Sequence, residues 1–155
     1  MNSLNHFVFS FTLCILYLGL SEEGIFYSAL FSLIFSVLID LDHLYKRKER
    51  PWYRRRTWIQ EPLGLVFIAF PVAFFLSLLD ERFLLLTLIS YSAHIFLDYI
   101  CVKEAFPLAP FSRIKRSERL RIFDSIFQKS GKISEIYFLI LNLILLTFLF
   151  LKASL

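Results

Sequence analysis

Asp40, Asp42 and His43 place two carboxylates and an imidazole within four positions of IDLDHLY, residues 39–45, where a run free of charge from Gly24 onward ends. His94 and Asp98 stand four apart in HIFLDY, a spacing that puts both on one side of a helix. His6 opens the first apolar stretch, and Glu61 stands at the entrance to the third. Imidazole nitrogen and carboxylate oxygen together suit a borderline or hard divalent cation such as Zn, Mn or Mg. The donors suffice for one ion or two, and a pair of ions polarises a phosphoryl oxygen and activates water for in-line attack. Arg54, Arg55 and Arg56 offer guanidinium forks for a phosphate beside such a site.

Each of these residues also has a plainer reading. His6 fits an interfacial position near a terminus, IDLDH fits the exit of a helix from a bilayer, and His94 with Asp98 fits a structural hydrogen bond along one helix. Asp40 and His43 share a helical face, whereas Asp42 points elsewhere unless the helix has already unwound. It is their convergence from several helix ends that points to a site.

The elements that must position them follow from composition. A chain of 155 residues with 57% hydrophobic content and nineteen Phe, at a mean hydropathy of +0.64, is not an ordinary soluble domain. Five stretches approach the length of a spanning helix. The expected fold is all-α: one integral membrane domain, 1–155, of about five transmembrane helices over 4–20, 24–42, 62–80, 83–102 and 134–152. Cytoplasmic loops 43–61 and 103–133 join them. The first stretch lacks a basic n-region and a small-residue cleavage pattern, so it reads as a retained helix rather than a signal peptide.

Of the seventeen Lys and Arg, all but Arg82 and Lys152 fall in or beside those two loops, while Glu22, Glu23, Asp80 and Glu81 collect at the opposite ends. The positive-inside rule then places the N-terminus and the histidines on the cytoplasmic side and the C-terminus outside. Attraction to anionic head groups accounts for the basic loops, and nucleic acid is not an expected partner. Within the second loop, Ser117 starts and Gly131 stops a short amphipathic segment carrying Leu120, Phe123, Ile126 and Phe127. This segment predicts an interfacial helix, either on the inner leaflet or over the bundle's cytoplasmic ends. Cys14 and Cys101 lie in different spans without metal-type spacing, which argues against a disulfide.

In its order of motifs the chain resembles the LexA-regulated, membrane-bound, metal-dependent hydrolases of the YdjM-like family. The likeness rests on the early His6, the Asp40-x-Asp42-His43 motif, the Arg54 to Glu61 stretch, His94 with Leu97-Asp98, and the later FPLAPFSR at 106–113. Two departures are visible: Ile39 precedes the first aspartate where the family usually has proline, and Glu61 stands where a histidine is expected. The resemblance implies a metal-dependent hydrolase and leaves the substrate open.

Together these readings predict a hydrolase at the cytoplasmic boundary, acting on a phosphoester such as a phospholipid head group. His6, Asp40, His43, His94 and Asp98 are the expected ligands of one or two divalent ions, with Asp42 or Glu61 as a further ligand or general base and Arg56 holding phosphate. Membrane lipids are the expected partners. A metal or proton transporter built on the same cluster is the first alternative, and it requires polar residues continuing to the far side. A noncatalytic scaffold is the second, and it requires no metal. The sequence does not fix oligomeric state.

Overall fold

The computed structural model describes residues 3–41, 58–101 and 131–153, and these form five helical rods with the turns that join them. Helix α1 is Ser3–Leu18. Helix α2 is Glu22–Ser32, continued by a π-helical turn, Leu33–Val37, and a 3-10 turn, Leu38–Leu41. A 3-10 turn, Trp58–Gln60, leads into α3, which starts at Pro62–Gly64, widens through a second π turn, Leu65–Ala69, and continues over Phe70–Ser77. Helix α4 is Arg82–Cys101 and α5 is Gly131–Ala153. Helix α1 packs between α2 and α4, α3 packs on α4, and α5 packs on α1.

Local chemistry sets the turns. Gly19 ends α1 at φ +81°, a left-handed conformation that glycine adopts without penalty, and its N–H donates to the Ile15 carbonyl at 2.8 Å. Ser21 then caps α2, its hydroxyl accepting from Gly24 N at 3.0 Å, so that α1 and α2 form a tight antiparallel hairpin. Pro71 lacks an N–H to donate into the preceding turn, and the backbone widens into the π turn just ahead of it.

The all-α expectation and its five helices hold. Among the described residues, however, no helix is long and apolar enough to cross a membrane. The interruptions explain part of this difference, because the π and 3-10 turns divide the second and third rods into short regular pieces. The expected interfacial helix from Ser117 and most of both expected cytoplasmic loops lie outside the described residues.

The end of the bundle away from the histidines is closed by charge. Arg82 donates to both carboxylate oxygens of Asp80 at 2.6–3.1 Å and to Glu23 Oε1 at 2.8 Å, with its guanidinium 5.9 Å from the centre of the Tyr27 ring. These bonds hold the Asp80 carboxyl below the usual carboxylate range. The resulting stabilisation is present above the unfolded pKa of about 3.9 and is lost as pH falls through the depressed native value. Thermal melts of wild type and Asp80→Asn should differ slightly at neutral pH, because the pair is partly open to solvent, and converge in strong acid. A difference that persists in strong acid would assign the stabilisation to something other than this carboxylate.

Candidate functional site

His6 on α1 and His94 on α4 are fully buried, and Asp98 is 5% exposed. His6 Nε2 lies 3.1 Å from Asp98 Oδ1, His94 Nε2 lies 3.6 Å from Asp98 Oδ2, and the imidazoles stack with centroids 4.4 Å apart. Helix α2 completes the arrangement through Ser36, whose hydroxyl donates to the His6 carbonyl at 3.0 Å. The Ser36 carbonyl lies 2.7 Å from His94 Nδ1. A carbonyl only accepts, so Nδ1 carries the proton of that bond and the other nitrogen of a neutral ring presents its lone pair.

That lone pair faces a carboxylate oxygen. Two acceptors at 3.6 Å inside a buried site attract one another only when a proton or a metal cation lies between them. Ser36 falls within the π turn of α2, a distortion that releases carbonyls from the regular ladder and recurs at functional sites.

The chemistry of this donor set fits a divalent cation. Two imidazoles and a carboxylate are typical ligands, and a ring N–H bonded to a backbone carbonyl is the outer contact that orients a ligating histidine. The spacing is a different matter. Among the described residues, no group of three or more His, Cys, Asp and Glu is arranged to hold an ion.

Gln60 and Glu61 are buried, at 0% and 1% exposure. Gln60 Nε2 donates to the Ile39 carbonyl at 3.5 Å, a long bond to the end of α2. One residue earlier, the Ile59 carbonyl accepts from the Tyr91 hydroxyl, and Tyr91 lies on α4 one turn before His94. The end of α2 and helix α4, which also carries His94 and Asp98, therefore hold the segment containing Glu61. Gly64 makes this docking possible, since a Cβ there would come within 2.2 Å of the Ile59 carbonyl oxygen and 2.7 Å of Tyr91 Oη.

Of the expected site residues, His6, His94 and Asp98 are brought together, and Glu61 is buried on the segment held by α4 and the end of α2. Asp40 lies in the 3-10 turn that ends α2, where its side chain is not described; Asp42, His43 and Arg56 fall outside the described residues. Sequence reasoning missed Ser36 and Gln60. It also missed a repeat of small polar residues every three or four positions, at His6, Ser10 and Cys14 on α1, at Ser28, Ser32 and Ser36 on α2, and at Thr87, Ser90, His94 and Asp98 on α4.

No curated protein and no solved structure matches the chain. A family model does, and it spans nearly every element described above. The model described as YdjM inner membrane protein matches residues 1–154, and the chain accordingly belongs to the YdjM inner membrane protein family.

Proposed function

We propose that this protein is a membrane-embedded, divalent-metal-dependent hydrolase acting on a phosphoester, such as a phospholipid head group, at the cytoplasmic face. The single observation that carries the metal reading is the His94 geometry: Nδ1 is committed to the Ser36 carbonyl while Nε2 faces the Asp98 carboxylate. His6, His94 and Asp98 would hold the cation, with Asp40 and His43 as the further ligands the sequence offers. Bound there, Zn, Mn or Mg supplies Lewis acidity for phosphoester hydrolysis. The chain's own residues do the rest: Glu61 or Asp42 accepts the proton of the attacking water, and Arg56 holds the phosphate.

A bilayer setting is supported by the family's name and by an inverted distribution of side chains. Asn5, Ser10, Ser28, Ser32, Ser36, Thr87 and Ser90 are buried, whereas Phe26, Phe67, Phe74, Phe75, Leu79, Ile144 and Phe148 are exposed. Water disfavours such a surface and hydrocarbon does not. Counted as one rod through its π and 3-10 turns, 22–41 spans about 30 Å at 1.5 Å per residue, the thickness of a hydrocarbon core. The expected topology has the N-terminus and the site on the cytoplasmic side and the C-terminus outside. Single cysteines at Lys48 and Ser112 should be labelled from the cytoplasm only, and one at Glu23 from outside only. Labelling of Lys48 and Glu23 from the same side would overturn this topology.

The test of the metal is elemental analysis of purified protein. Wild type should carry stoichiometric divalent metal, and His94→Ala should lose it together with thermal stability, because ligand loss weakens the linkage of binding to folding. Turnover of a phospholipid or generic phosphodiester should vanish with chelator, return with metal and fall sharply in Glu61→Gln. Metal-loaded wild type that turns over none of these substrates, yet gives metal-dependent ion flux in liposomes, would replace the hydrolase with a transporter.

A further inference from the structure

Helices α1, α2 and α4 share a polar seam that does not stop at the histidines. One turn beyond His6, Ser10 Oγ donates to Ser32 Oγ at 2.9 Å. Beyond that, Cys14 Sγ lies 3.2 Å from Ser90 Oγ and, more loosely, 3.9 Å from the Ser32 hydroxyl. Each step advances about one turn on all three helices, because α2 and α4 run parallel to each other and antiparallel to α1. Continuing the same faces leads to Ser28 on α2 and Thr87 on α4.

These last two residues differ from the others. Both are fully buried, and among the described residues neither Ser28 Oγ nor Thr87 Oγ1 has a hydrogen-bond partner. An unsatisfied buried hydroxyl costs free energy, and internal water is the usual remedy where several polar groups converge. Past them the seam closes: Phe31 and Leu86 pack with Leu18, Tyr27 and Phe83, beneath the Glu23–Arg82–Asp80 bonds.

We infer that this seam is an internal water-binding site, a half-channel of serine, threonine and cysteine side chains that extends the buried polar interior from the His6–Asp98–His94 cluster to beneath the apolar closure. Its ligand is water, held by Ser28 and Thr87 and in reach of Cys14. The inference stands whether or not the cluster binds metal or hydrolyses anything.

Cys14 is the built-in reporter. The protein would be equilibrated in heavy-oxygen water, diluted briefly into ordinary water, exposed to a millisecond X-ray pulse and read by mass spectrometry. Hydroxyl radicals formed from retained internal water should place heavy oxygen on Cys14, while its buried neighbour Ile15 stays protected relative to the unfolded chain. Thr87→Val with Ser28→Ala, checked for retained helicity, should lose the Cys14 label; if the double variant does not fold, the near-isosteric Thr87→Val alone carries the comparison. Cys14 as protected as Ile15 in wild type would overturn the inference, as would a label unchanged in the variant. So would a rise in thermal midpoint for Thr87→Val, the sign expected when an unsatisfied hydroxyl is removed from a dry site.

Discussion

Asp98→Ala is expected to cost about 3–5 kcal/mol of stability, because it removes one partner from a buried, charge-bearing cluster and leaves the others in place. His6 Nε2 at 3.1 Å and His94 Nε2 at 3.6 Å both address that carboxylate, and both imidazoles are fully buried. For a chain of this length the loss corresponds to a fall in thermal midpoint on the order of 10 °C. Asp98→Asn separates shape from charge: its amide keeps the volume of the side chain, yet it cannot balance a cation between itself and His94. If a divalent ion occupies the cluster, Asn should abolish metal retention while recovering part of the stability lost in Ala. If the cluster is held by a shared proton alone, Asn should behave like wild type in elemental analysis, with no metal in either. Thermal melts and metal content on the same preparations read both quantities, and an Asp98→Ala protein that melts within 2 °C of wild type, on the same scale, would remove the carboxylate from any central role.

How much of this was legible in the sequence depends on whether a contact is local. The pairing of His94 with Asp98 follows from helical periodicity, so HIFLDY was enough to see it. The entry of His6 was less direct. It required an antiparallel α1 whose N-terminal end lies level with the C-terminal end of α4, which the basic loops and short hairpins imply but do not specify to a single turn. The Ser36 carbonyl was not legible, because IFSVLID carries no proline or glycine to announce a π turn and the backbone group that orients His94 is not a side chain at all. Gln60 was hidden for another reason: RRRTWIQEP reads as a basic loop, and only the docking of Ile59 against Tyr91 buries the residues after it. The hydroxyl seam lay in plain view at a three- to four-residue spacing on three helices. Serines and threonines in an apolar chain read as background until the helices are placed and their hydroxyls prove to share one interior.

Gly64→Ala should be the most damaging alanine substitution among the described glycines. A Cβ would be placed 2.2 Å from the Ile59 carbonyl oxygen and 2.7 Å from Tyr91 Oη. The first of these is backbone that cannot swing aside as a flexible side chain would. The second belongs to a hydroxyl that donates to the same carbonyl, so relief of one clash breaks the bond that fixes the segment. Overpacking of this kind costs about 1–3 kcal/mol and sometimes more, and the displacement falls on Gln60 and Glu61, which lie between Ile59 and Gly64. The cluster of His6, His94 and Asp98 is built on α1 and α4 and should survive. If the protein is the metal-dependent hydrolase proposed above, the variant should keep metal and most helicity while losing turnover by about a hundredfold, a loss that a misplacement of roughly 1 Å can cause. Tyr91→Phe provides the graded comparison, since it deletes the hydrogen bond without adding bulk and should cost about 1 kcal/mol. Gly64→Ala with wild-type stability and turnover would mean that the close approach of Gly64 to Ile59 does not hold the segment. Loss of metal together with activity would instead place Glu61 among the ligands.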